Sequence, residues 1–128
     1  MTFGLDTTVV LRLLLGEPVA QASVARSRLE AAVLAGDTVI VSDLVVAEAY
    51  HALHYHYGVK KEDARELLRN MVTSGTVTLE PEEALSALSP GRGAGVVDRL
   101  IAARYDASGA STWTFDRKLG ALRGVDRL

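Results

Sequence analysis

Residues 1–17 read MTFGLDTTVVLRLLLGE, and the carboxylate in their midst decides how the rest of the chain is read. TFGL is short and mostly apolar, as strands are, and it ends at Asp6. TTVVLRLL then carries apolar residues at helical spacing as far as Gly16, a residue suited to stopping a helix. The order is strand, acid, helix. An unpaired carboxylate buried among such residues costs on the order of several kcal/mol. Asp6 is therefore either the cap of a surface helix or a group that a positive charge comes to meet.

The same alternation runs outward from this stretch. TVIV, TVTL and ASTWT read as further short strands. VAQASVARSRLEAAVLA, DLVVAEAYHALHYHY, KKEDARELLRNMVTS, PEEALSAL and GVVDRLIAARYDA read as helices. Gly36, Gly58, Gly75 and Gly109 punctuate them as Gly16 does the first. In the second helix Val19, Ala22, Ala25, Leu29, Ala32 and Val33 are expected to form an apolar stripe with arginines opposite. Short strands separated by helices predict an α/β fold, a mostly parallel sheet covered on both faces. Residues 1–128 show no linker composition and no repeat, and are read as one domain.

Composition narrows the function. Cysteine is absent, which excludes disulfides and thiolate metal sites. The N-terminus lacks the pattern of a signal peptide, and VVLRLLL is too short to span a bilayer, so a cytoplasmic protein is expected. Net charge is −2, so nucleic-acid binding requires a local basic surface rather than an overall positive field.

In open parallel sheets, ligands bind beyond the carboxyl ends of the strands. Asp6 and Asp116 stand at two such exits, and Glu48 lies in the early turns of the helix after TVIVS. Asp98 is flanked by Val96, Val97, Leu100 and Ile101. Four acids from distant parts of the chain can thus converge on one edge. Packed carboxylates repel one another and demand a proton or a cation. Oxygen-only donors favour Mg²⁺ or Mn²⁺ over zinc, and suit metal-assisted phosphoryl chemistry. Thr7, Thr8 and Thr114 are placed to orient these carboxylates or hold water.

LDTTVVLRLLLGE, VSDLVVAEAYHAL, VVDRLIAARY and TFDRKLGAL, taken in this order, resemble a PIN domain of the VapC toxin type. The resemblance covers nearly the whole chain. It implies a three-layer fold with about five parallel strands, the last of them near GVDRL. It also implies a metal-dependent ribonuclease acting with Mg²⁺ or Mn²⁺, in which Asp6, Glu48, Asp98 and Asp116 are the acidic quartet. Thr7 and Thr114 match the family's hydroxyl positions, and Thr8 stands where serine is frequent. The implied partners are RNA, a cognate VapB-type antitoxin and a second copy of the chain in a homodimer. SPGRGAGVV, richer in glycine than the family pattern, leaves the substrate rim undefined.

Glu48 and His51 have the spacing of a di-iron helix, yet no second such motif exists, so His51, His54 and His56 are read as solvated or partly buried. GRGAG lacks the Lys-Ser/Thr of a phosphate-binding loop. Arg12, Arg92, Arg99 and Arg117 are candidate phosphate contacts. Tyr50, Tyr55, Tyr57 and Met71 suggest an antitoxin surface on the two central helices. Two alternatives stay open. A haloacid-dehalogenase-like phosphatase also ends its first strand in aspartate, but it wants a second aspartate where Thr8 stands. A non-catalytic PIN-fold module would bind RNA or a partner only.

Overall fold

The computed structural model describes all residues, 1–128. Strand β1 (Thr2–Gly4) leads into α1 (Thr7–Leu15) and α2 (Val19–Leu34). Next come β2 (Thr38–Ser42), α3 (Asp43–Tyr55), α4 (Lys61–Thr73) and β3 (Thr78–Glu80). A 3₁₀ segment (Glu82–Leu88), α5 (Val96–Ala107), β4 (Thr112–Thr114), a 3₁₀ turn (Leu119–Ala121) and β5 (Val125–Arg127) complete the chain. The expected helices all form, with PEEALSAL wound more tightly than anticipated. The last strand forms where GVDRL implied it.

Every strand pairing is parallel, as the strand–helix alternation requires. The strands, however, divide into β1-β2-β3 and a separate pair β4-β5, rather than one five-stranded sheet. Four of them are only three residues long. So short a strand offers few ladder bonds, and side-chain packing must hold the two sheets together. The core reflects the same division. One cluster of 17 buried residues lies under the first sheet and its helices, and a satellite of Ala94, Leu119 and Val125 lies under the second.

The glycine stops behave as expected. Gly16 adopts φ +70° and its N–H bonds the Arg12 carbonyl, closing α1 in a conformation that a side chain resists. The apolar stripe of α2 is only half right. Ala22 is buried and Ala25, Leu29 and Ala32 are half-buried, but Val19 and Val33 face solvent. α2 touches the body along one narrow line against α1 and β2. No single helix is long and apolar enough to cross a membrane.

On β4, Thr112 is buried and its hydroxyl has no hydrogen-bond partner. An unpaired buried hydroxyl costs roughly 1–3 kcal/mol, whereas a methyl of the same shape does not. Thr112→Val is expected to raise the thermal midpoint by a few degrees, corresponding to about 1 kcal/mol. Differential scanning fluorimetry checks this, and a fall in midpoint would show that the hydroxyl is satisfied after all.

Candidate active site

Of the four acids, Asp6 and Asp116 lie just beyond strands, and Glu48 and Asp98 lie on helices α3 and α5. Asp6 lies just beyond β1, at the N-cap position of α1 with extended backbone. Its carboxylate is exposed and accepts none of the helix's free N–H groups. Its recorded contact is the Thr8 hydroxyl, which donates to Oδ2 at 3.5 Å. So Asp6 occupies the cap position without capping. No cation comes to meet it either, because the ion pairs in the fold are Met1 with Asp37 and Arg104 with Asp43.

Glu48 sits on α3, exposed and without a hydrogen-bond partner. Asp98 lies in the first turn of α5, half-buried, where the helix's N-terminal field favours negative charge. Its flanks are not uniformly apolar core, as the sequence suggested. Val96 and Leu100 are buried, but Val97 and Ile101 are exposed on the far side of the helix. α3 packs against both α1 and α5, so the helices carrying or following three of the acids adjoin one another.

Asp116 follows β4 and is partly committed to local structure. Its Oδ2 accepts from the Leu119 N–H at 2.7 Å, holding the turn that precedes β5. The Thr114 hydroxyl accepts from the Asp116 N–H at 3.0 Å, so Thr114 fixes the backbone of this acid rather than its carboxylate. Thr7 is buried at the start of α1. As the side chains stand, no three histidine or acidic groups are gathered closely enough to hold a metal ion. The donor chemistry nevertheless fits a hard divalent cation: four carboxylates, none neutralised by an arginine or lysine.

The candidate phosphate contacts divide. Arg92 and Arg117 are exposed. Arg12 donates from Nε to Gln21 Oε1 at 2.7 Å and ties α1 to α2. Arg99 donates from Nη1 to the Ser89 carbonyl at 3.0 Å and anchors the glycine-rich loop. Among the histidines, His54 donates from Nδ1 to the Val59 carbonyl at 2.9 Å, which fixes the end of α3. His51 and His56 are exposed.

One acid escaped the sequence reading. Asp43, 4 % exposed at the start of α3, takes both Nε and Nη2 of Arg104 from the last turn of α5, at 2.8 and 3.0 Å. The hydrogen bond and charge of Asp43 hold the Arg104 guanidinium above its ordinary range. This bidentate pair locks the two helices that bear Glu48 and Asp98. Within SDL, Asp43 is only a first-turn acid. The signal was the arginine, 61 residues away, and no periodicity connects them.

The expected surface on α3 and α4 also changes. Tyr50 is buried and Met71 half-buried, because these helices pack on each other, and only Tyr55 and Tyr57 remain outside. Burial raises the Tyr50 hydroxyl pKa. The apolar groove lies instead between α1 and α2. Its volume is about 690 Å³, and Phe3, Leu5, Val9, Leu13, Val24 and Leu29 are among its lining, with Arg12 and Arg28 as charged points.

The parallel α/β domain carries Asp6 and Asp116 just beyond β1 and β4, neither of them in an ion pair. The chain matches the PIN domain family over residues 4–125 and belongs to it. No curated protein matches it significantly. Among solved structures it is similar to a chain of VapBC2 from Rickettsia felis bound to a DNA fragment from their promoter. That similarity covers 100% of this chain and 98% of the other, at 17% identity and a TM-score of 0.42.

Proposed function

We propose that this PIN domain is a metal-dependent endoribonuclease that hydrolyses RNA phosphodiester bonds, the toxin of a VapBC-type toxin–antitoxin pair. The observation that carries the reading is the acidic quartet at the strand exits and adjoining helices, left without any cationic partner in the fold. Asp6, Glu48 and Asp98 would hold Mg²⁺ or Mn²⁺, with Asp116 completing the charge. A divalent ion in such a site supplies Lewis-acid stabilisation at phosphorus and acidifies water.

The chain's own residues do the rest. Thr8 steadies the Asp6 carboxylate, while the Leu119 N–H fixes one oxygen of Asp116 and leaves the other free. Arg92 and Arg117 guide phosphate past the acids. His54 is committed to Val59, and no histidine base is required. Toward a phosphatase, Thr8 offers only its hydroxyl to Asp6, where a second aspartate would be needed.

The groove between α1 and α2 supports an antitoxin that lays an apolar, amphipathic segment there. Its arginines favour carboxylates on that segment. Val97, Ile101 and Tyr105 form an exposed i, i+4, i+8 stripe on α5, which supports a homodimer.

The test is incubation of the purified chain with total cellular RNA, with Mg²⁺ or Mn²⁺ and then with chelator. Cleavage is expected with metal, and a loss of at least about 100-fold on its removal. Addition of the partner encoded beside the gene is expected to silence it. Turnover of a small phosphate ester without RNA cleavage would overturn the reading.

A further inference from the structure

We propose that Trp113 and Phe115 form a stacking platform for the bases of single-stranded RNA beside Asp116. The proposal rests on the nuclease reading above and adds how the substrate strand is held. Along β4 and its exit, exposure alternates. Thr112 is buried and Thr114 half-buried, whereas Trp113 is 74% and Phe115 81% exposed. Trp113 lies on β4 and Phe115 in the bend that follows it, so two large exposed rings stand two residues apart beside Asp116. Rings of this size bury roughly 150–250 Å² each when covered, which is a large apolar area to leave in water.

The neighbours decide what covers them. Phe115 is bonded to Asp116, so a phosphodiester brought to the acidic quartet by a bound divalent cation would have its adjacent nucleotide at the rings. Arg117 and Lys118 follow directly, and Arg127 is the register partner of Thr114 at the same end of the sheet, all exposed and none in an ion pair, in a chain whose net charge is −2. On β5, Asp126 is the register partner of Trp113 and turns phosphate away from that side. The phosphate backbone therefore runs along the cationic exit, with its bases over the aromatic face. Flat rings beside a line of cations hold single strands with little sequence preference, because every base has a π-face. Leu128, exposed at the end of β5, adds apolar area, so a protein surface is the competing occupant.

Trp113 is the sole tryptophan, which makes it a reporter of its own contacts. Asp98→Asn protein, used to prevent cleavage, is titrated with a mixed-sequence single-stranded RNA of about 12 nucleotides, within the usual span of such sites. An abasic chain of the same length is titrated in parallel. The RNA is expected to quench Trp113 emission and the abasic chain to leave it unchanged. By anisotropy of labelled RNA, Trp113→Ala and Phe115→Ala are each expected to weaken binding about 5-fold or more, and Trp113→Phe to retain most of it. Equal binding of the abasic chain, or unchanged affinity in both alanine variants, would overturn the platform. So would a loss of dimer in Trp113→Ala, by sedimentation, with RNA affinity intact. The binding arms need no turnover. A wild-type chain that cleaves no RNA but is quenched by it thus refutes the nuclease reading alone.

Discussion

Asp98→Asn is expected to fold as the wild type does and to cleave RNA at least about 100-fold more slowly. Substitutions that merely touch a metal ligand's support cost 10–100-fold, roughly, so loss of a ligand's charge belongs at or beyond the upper end. Asparagine keeps the size and hydrogen-bonding capacity of the side chain and removes only the charge. Asp98 lies in the first turn of α5, where the helix field favours an anion by about 0.3–1 kcal/mol. Relief of repulsion among the acids acts in the opposite direction. The acids are not closely gathered, so this relief is small, and the metal-free melting temperature is expected within a few degrees of wild type. The checks are a melting curve without metal and a time course of RNA cleavage with Mn²⁺. A wild-type cleavage rate in Asp98→Asn would remove Asp98 from the site.

The helices were legible because their signals are local. Apolar spacing marks each body and a glycine each end, and Gly16, Gly36, Gly58, Gly75 and Gly109 all take positive φ. The parallel pairing was legible too, since a helix must cross over between neighbouring strands. The division of the sheet was not. Whether β1 and β4 bond depends on how α5 and the satellite cluster set β4 against the body, and no residue in TFGL or STWT encodes that. Asp6 and Asp116 stood out as carboxylates at strand exits, and Asp98 as one among apolar neighbours. What each one holds did not, because the Asp116–Leu119 bond and the empty cap of Asp6 are matters of backbone geometry. Tyr50 and Met71 misled for a related reason. A helix wanting two apolar faces looks the same whether its second face meets a neighbouring helix or a partner.

Leu53→Ala is expected to destabilise the fold by about 3 kcal/mol, within the roughly 2–5 kcal/mol range for buried leucines. Leu53 is 0% exposed, near the end of α3 and inside the main cluster of 17 residues. Truncation loses its transfer energy and leaves a cavity that Val46, Ala49 and Leu68, all buried in the same cluster, cannot fill without moving backbone. For a chain of 128 residues the midpoint should fall by about 10 °C. Leu34→Ala is the control. Leu34 is 88% exposed at the end of α2, and its removal is expected to change stability by no more than about 0.5 kcal/mol. The contrast matters for the site, because α3 also carries Asp43 and Glu48 and is clamped to α5 through Arg104. Below its lowered midpoint, Leu53→Ala protein is expected to retain metal-dependent cleavage, since the Asp43–Arg104 clamp fixes the helix independently of the core beneath it. Thermal melting of both variants tests the packing. A Leu53→Ala midpoint matching that of Leu34→Ala would mean that α3 does not sit on the core, and the placement of Glu48 would fall with it.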